Sequence, residues 1–288
     1  SKTLFWGSNE LKLVSLFKGL EPHISGWFDD NNYKYAGLII LNRILKLGKT
    51  FFVSSILTSK YKQIFEEFYC DNEYLRKIAF RLVCFHIKHP RVPESNQAID
   101  FYSKNAQEFL ISNDVAKISI GIDILFQLSK YFPMYIHNNI NNCFDSLFLV
   151  LKEHENHDIK LKSAKLFLNL LETFKSCINK EILSSFFQIL FEKDDDIDFI
   201  DIINKTIESF TEFIDFDLIW KLTFENSNII KNSTCLFRLL NAILSLKPNF
   251  KYDISHIKEP EFDEDFLIFL KNNSSFLTKY KKSMQNFV

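Results

Sequence analysis

The amino-acid sequence predicts an all-α fold, a right-handed α-solenoid of about six helix-pair repeats running as one domain through residues 1–288. Three observations predict it. The 288 residues include only six Gly and six Pro, too few for the tight turns of an all-β protein or for a glycine-rich nucleotide loop. One type of segment recurs along the chain: an Asp or Asn, then a helix with a small residue near its fifth to seventh position. Inside that segment the apolar residues follow helical spacing. Tyr33, Ala36, Gly37, Ile40, Leu41 and Ile44 stand at offsets 0, 3, 4, 7, 8 and 11, and Phe199, Ile202, Ile203, Thr206, Ile207 and Phe210 repeat the ladder.

Each ingredient has a physical role. The copies begin at Asp30, Asp71, Asn113, His157-Asp158, near Asp196 and at Asn226. A leading Asp or Asn accepts hydrogen bonds from the free amides of the first turn. The small residue lets a neighbouring helix come close at the crossing. Gly37, Ala79, Ser119 and Ser163 are 42, 40 and 44 residues apart, which lies inside the roughly 40–47-residue period of two-helix repeats. The second helices are therefore expected near 32–47, 72–88, 114–131, 158–175, 197–213 and 228–246. Their partner helices are expected at about 8–20, 58–69, 96–112, 134–154, 179–192 and 215–225. Gly48, Asn113 and Pro133 mark turns, and the loop 89–96 is stiffened by Pro90 and Pro93. Residues 249–288, with an acidic stretch at 259–265 and a basic one at 279–282, read as a C-terminal cap or a docking tail.

Composition narrows the function classes. Hydrophobic residues make up 47% and aromatics 16%, enough for a core and too much for a disordered chain. The 32 Phe, with 30 Lys against five Arg, are read as AT-rich compositional drift rather than as an aromatic binding device. A net charge of −1 argues against a domain committed to nucleic-acid backbone. Five cysteines without a CxxC pair predict reduced thiols in the cytoplasm or nucleus. The first seven residues carry no long apolar region, so no secretory leader is expected. Charge interrupts every apolar run before 18 residues, so no membrane insertion is expected either.

Catalytic chemistry finds no foothold in the pattern. There is no GxSxG elbow, no phosphate-cradling glycine loop and no HExxH, which predicts a non-enzyme with no cofactor and no small-molecule substrate. The pairs His86/His89 and His154/His157 have helical spacing but lack a third ligand, so they are expected to be surface or helix-end histidines and not a metal site. Asp194, Asp195, Asp196 and Asp198 precede an apolar helix, where the helix dipole favours negative charge.

Leu75-Arg76-x-x-Ala79 and Ile159-Lys160-x-x-Ser163 match the acidic turn, Val-Arg-like pair and small residue common to HEAT and armadillo repeats. The chain resembles that superfamily over nearly its whole length. Val115-Ala116-x-x-Ser119 lacks the basic residue, and the fifth copy lacks most of the pattern. More narrowly, residues 19–110, with Trp27 and Tyr35-Ala36-Gly37-Leu38, resemble the N-terminal solenoid of Rix1-type ribosome-assembly factors. The superfamily resemblance implies that the second helices line a concave face. On that face a basic groove is expected from Arg43, Lys77, Arg81, Lys117, Lys162, Lys165 and Arg238. The expected function is a scaffold that binds protein partners within a larger intracellular assembly, with an RNA- or ribosome-associated factor as the alternative. Reversing the charge of Arg43, Arg81 and Lys165 is expected to leave folding almost unchanged.

Overall fold

Short polar side chains start the principal helices, and they do so on a strict period. The computed structural model describes residues 15–16, 18–48, 50–91, 93–192, 197–225, 238–240, 242–243 and 246. In it, Asn72 Oδ1 accepts from the amides of Tyr74 and Leu75, and Asp114 Oδ1 from those of Ala116 and Lys117. Asn156 Oδ1 accepts from the Ile159 amide, and Asp30 Oδ1 from that of Asn32 in the turn before its helix. Asp30, Asn72, Asp114 and Asn156 are 42 residues apart throughout.

The helices in chain order are α1 (18–27), α2 (Lys34–Lys46), α3 (Thr50–Phe65, prolonged by a 3-10 turn, Glu66–Tyr69), α4 (Glu73–Lys88), α5 (Asn96–Leu110) and α6 (Val115–Tyr131). They continue with α7 (Pro133–His137), α8 (Ile140–Glu153), α9 (His157–Thr173), α10 (Lys180–Phe191), α11 (Ile197–Ser209) and α12 (Phe216–Glu225). Every regular element among the described residues is helical. The chain divides into two compact units, Ser1–Ser146 and Leu147–Val288.

In the first unit α2 packs on α4 and α4 on α6, while α3 packs on α5 and α5 on α7. Neighbouring helices close the layers, α2 on α3, α3 on α4 and α5 on α6. Leu38, Leu41, Val53, Leu57, Leu82, Val83, Ile99 and Leu125 are each fully buried. Each such aliphatic side chain contributes about 1.5–3 kcal/mol relative to exposure. Phenylalanine supplies the bulk: Phe65 lies edge-on to Phe68 at 4.8 Å and to Phe101 at 5.3 Å, and stacks on Tyr102 at 5.9 Å and Phe109 at 5.4 Å. In the second unit α9 packs on α11, and α10 on α11 and α12, around Phe148, Phe167 and Phe186.

The period is stricter than the sequence suggested, and one of its members is different. Gly37, Ala79 and Ser163 are buried at helix contacts, but Ser119 is only half-buried. The close approach in the third copy is at Gly121, where a Cβ would stand 2.7 Å from the Ala106 carbonyl oxygen and 2.9 Å from Phe109 Cβ. With Gly121 in place of Ser119 the small positions fall 42 residues apart at every step. The buried Ser163 hydroxyl has no hydrogen-bond partner, so that site uses the size of serine and not its polarity.

Other boundaries differ from the expectation for identifiable reasons. Helix α3 begins at Thr50, not near 58, because Phe52, Val53, Ile56 and Leu57 bury a stripe that overrides the local strand propensity of this run. It bends at Lys60, just after Thr58 and Ser59 turn their hydroxyls back onto the Ser54 and Ile56 carbonyls. The helix expected over 134–154 is broken at Asn138-Asn139, both turn formers. The first helix runs on to 27, and α11 ends at Ser209 with Phe210 turned inward. Gly48 follows α2 at φ 75°, a left-handed conformation that glycine alone adopts without strain. Most of the helix expected at 228–246 and all of the 249–288 segment lie outside the described residues.

Candidate functional site

The strict period places equivalent side chains in rows across α2, α4 and α6. Lys34 at the start of α2 pairs with Glu66 and Glu67 just before α4, and Arg91 just after α4 lies on Phe51 just after α2. Between them Arg81 Nη1 donates to Asn42 Oδ1 at 3.0 Å, so α2 and α4 run parallel. At 100° per residue, offsets 0, 4 and 8 keep to one side of a helix. The resulting rows are Tyr35, Lys77 and Ser119; then Ile39, Arg81 and Asp123; then Arg43, Phe85 and Gln127. Their α2 members and both α4 cations are exposed, whereas Phe85 and the α6 members are half-buried. Tyr35 is 49% exposed and Ile39 36%, so this face offers apolar area among its cations.

Each expected basic residue has its own surroundings. Arg43 is exposed. Lys77 is exposed and pairs with Glu73 one turn back at 2.5 Å. Lys117 is half-buried, its ammonium 4.7 Å from the Tyr69 ring centre. In the second unit Lys165 is exposed, Lys162 is half-buried and Arg238 is bonded to Asp201. There the neighbouring cation Lys205 lies 3.7 Å from Glu172, so acids and bases alternate. The corresponding face of the first unit carries Arg43, Lys77 and Arg81, with Asp123 in the row of Arg81 and Glu73 paired to Lys77. Lys34, on the same helix as Arg43, is a different case. Burial alone would lower its ammonium, but hydrogen bonds to Glu67 and Glu66 outweigh that and hold it above the usual lysine range.

Arg81 is not an unattached surface charge. Asn42, its partner, is only 3% exposed, so removing the guanidinium leaves a buried amide oxygen without this donor. Arg81→Met, which keeps the aliphatic stem, is expected to destabilise by about 1–2 kcal/mol, while Arg43→Met changes almost nothing. Urea denaturation of the two variants checks this, and equal midpoints would show that the Asn42 bond contributes nothing.

His86 stands in the last turn of α4 but is not a surface residue. It is fully buried, with Nδ1 3.1 Å from the Tyr102 hydroxyl and Nε2 3.0 Å from Ser95 Oγ and 3.4 Å from Thr58 Oγ1. Ser95 Oγ in turn accepts from the Arg91 amide, and Ser54 Oγ donates to the His89 carbonyl at 2.7 Å. Burial pushes the imidazole down to about 4, so it is neutral at physiological pH. The Ser–His–Tyr adjacency resembles an activated nucleophile, but Ser95, His86 and Tyr102 are all fully buried and no substrate atom can reach them. The cluster is a polar clamp joining α3, α4, the 89–95 loop and α5. Only the tertiary fold shows it, since residues 9 to 37 apart must meet.

Burial also pushes the Cys84 and Cys143 thiols up to about 12, which keeps them protonated and unreactive. Among the described residues no group of three or more His, Cys, Asp or Glu could hold a metal ion. His154 accepts from the Asn156 amide at 3.0 Å in the turn before α9, and His157 packs edge-on against Phe199. Asp198 stands in the first turn of α11, and the preceding acidic run lies outside the described residues. No helix among the described residues is long and apolar enough to cross a membrane.

Tyr35, Ile39 and Phe85 do not stand out in the sequence as companions of the cations. The signal that finds them is the 42-residue spacing, once Gly121 sets its register. No protein-family model and no curated protein sequence matches the chain.

Proposed function

We propose that this chain is a non-enzymatic scaffold built as an α-solenoid of HEAT/armadillo-like repeats. We propose further that it holds an acidic segment of a protein partner on the outer face of α2, α4 and α6. One observation carries this reading: Arg43, Lys77 and Arg81 are interleaved with Tyr35, Ile39 and Phe85 in rows that recur every 42 residues. Cations spaced among aromatic and aliphatic side chains suit a peptide that alternates carboxylates with apolar anchors. The packing of α2 on α4 on α6, and of α3 on α5 on α7, supports the solenoid arrangement. Among the described residues, the largely buried thiols of Cys84 and Cys143 support a cytoplasmic or nuclear setting.

The test is an anisotropy titration with a labelled peptide alternating Asp or Glu with Leu and Phe, run beside a single-stranded RNA. The peptide is expected to saturate the protein. Arg43→Glu combined with Lys77→Glu should weaken it by about tenfold or more, with an unchanged unfolding midpoint because both cations are exposed. Tighter RNA binding with a steep loss of affinity on added salt would replace the peptide reading by a nucleic-acid one. Saturation by neither probe would end the scaffold reading for this face.

A further inference from the structure

The carboxyl ends of α2, α4 and α6 carry a second pattern, distinct from the face above. Lys46, Lys88 and Lys130, again 42 residues apart, are all exposed in the last turns of these helices. Their charge alone needs no partner, because cations complement the negative end of a helix dipole. The dipole does not explain the side chains beside them. Leu47 is 70% exposed, Phe51 69% and Met134 70%, the three most exposed large apolar residues of the described chain. Leu47 follows α2, while Phe51 and Met134 are each the second residue of the next helix, α3 and α7.

The turns after α2 and α4 are in contact. The Arg91 guanidinium lies 4.5 Å from the centre of the Phe51 ring, and Ser54 in the first part of α3 bonds the His89 carbonyl at the end of α4. Arg91 therefore joins Lys46 and Lys88 around Phe51 and Leu47. Glu94 is the one carboxylate in the described residues of the turns 46–51, 88–95 and 130–134. The amino ends of the same helices are mixed, with Asp30, Asp71, Glu73 and Asp114 beside Lys34, Arg76 and Lys117. The unit thus has one end where cations and protruding apolar side chains stand with a single carboxylate, and another where acids and bases mix.

We propose that the basic end is a peripheral membrane-docking edge for an anionic lipid surface. Leu47, Phe51 and Met134 enter the boundary between headgroups and acyl chains, while Lys46, Lys88, Arg91 and Lys130 meet lipid phosphates and carboxylates. A bilayer fits these residues better than an acidic protein does. The apolar side chains are largely exposed where α2 passes into α3 and in α7, and a fluid surface accepts such protrusions where a protein would need a matching pocket for each. The cations flank them on long aliphatic stems, which can lie along apolar surface while the ammonium stays at the headgroups. A basic residue near an anionic leaflet strengthens binding by about fivefold. The docking residues are not those that hold the acidic segment, so either reading can fail alone.

The test is co-sedimentation of the full chain with phosphatidylcholine vesicles and with mixed phosphatidylcholine–phosphatidylserine vesicles at low salt. The protein should sediment with the mixed vesicles and stay in solution with the neutral ones. Leu47→Ser with Phe51→Ser should weaken binding by about tenfold or more, and Lys46→Glu with Lys88→Glu should abolish it. Ile111→Ser, which removes a residue 63% exposed beside the amino end of α6, should leave it unchanged. Thermal unfolding monitors the fold, and Met134→Ser, a single change at an exposed position, gives a second apolar variant if the double one unfolds. Failure to sediment with anionic vesicles overturns the proposal. So does equal binding to neutral vesicles, or full binding by the apolar variants. Binding of polyglutamate that is lost in Leu47→Ser with Phe51→Ser, without vesicle binding, would assign the edge to an acidic protein instead.

Discussion

Gly121→Ala is expected to destabilise the protein by about 1–3 kcal/mol, although alanine is ordinarily the better helix former. The added methyl would sit 2.7 Å from the Ala106 carbonyl oxygen and 2.9 Å from Phe109 Cβ, distances that real side chains do not tolerate. The obstacle is backbone on one side and the root of a buried aromatic on the other, so α5 and α6 must separate to make room. Separation would disturb the packing of Ala106, Phe109 and Leu110 against Ile118, Ile122 and Leu125. Gly26→Ala is the matched control. It also lies in a helix, but its new methyl would meet nothing within 4 Å, and that variant should gain about 0.5–1 kcal/mol. Chemical denaturation of both variants, fitted with a common slope, decides the matter. If Gly121→Ala is as stable as the parent, the helices do not cross at that position and the 42-residue register is wrong.

Acid should weaken the fold through His86, by up to about 3 kcal/mol between pH 6.5 and 4. An imidazole in the unfolded chain takes up a proton near pH 6.5, whereas burial in the folded protein holds His86 down to about 4. Between those values the unfolded state binds a proton that the folded state refuses. The stability carried by the neutral imidazole is present in full above pH 6.5 and drains away as the pH falls through that window. Carboxylates titrate towards the lower end of the same range, so the informative quantity is a difference between proteins. His86→Gln should be less stable at pH 7, because Tyr102 and Ser95 lose a well-placed partner, and its stability should fall less steeply on acidification. Parallel slopes for the two proteins between pH 6.5 and 4 would show that His86 does not carry the effect.

Where the sequence and the structure part company, the difference lies mostly in contacts, and in a few helix boundaries. Serine and glycine are both small, and the choice between Ser119 and Gly121 depends on which one meets the Ala106 carbonyl on another helix. A charge pattern makes Arg81 a surface cation, and it is exposed. Its bond to Asn42 nevertheless gives it a structural part that a count of charges does not contain. His86 beside His89 has the spacing of a ligand pair, yet one ring is sealed in the core and the other packs against Phe85. The extra eight residues at the start of α3 could not be read locally, because aromatic and β-branched residues there favour a strand until a packing partner is known.

The sequence by itself determined that this chain is helical, where most second helices begin, and that their pattern recurs about every 42 residues. Those features depend on interactions that span a turn or two. Examples are a carboxamide or carboxylate capping free amides, apolar residues returning to one face, and a glycine or proline ending the run. The tertiary structure alone decided which small residue marks a crossing, which polar groups are sealed in the core, and which cations share a face with aromatic side chains. Those outcomes depend on pairs far apart in the chain, such as Asn42 with Arg81 at 39 residues and Ser54 with His89 at 35, which meet only when separate helices pack together.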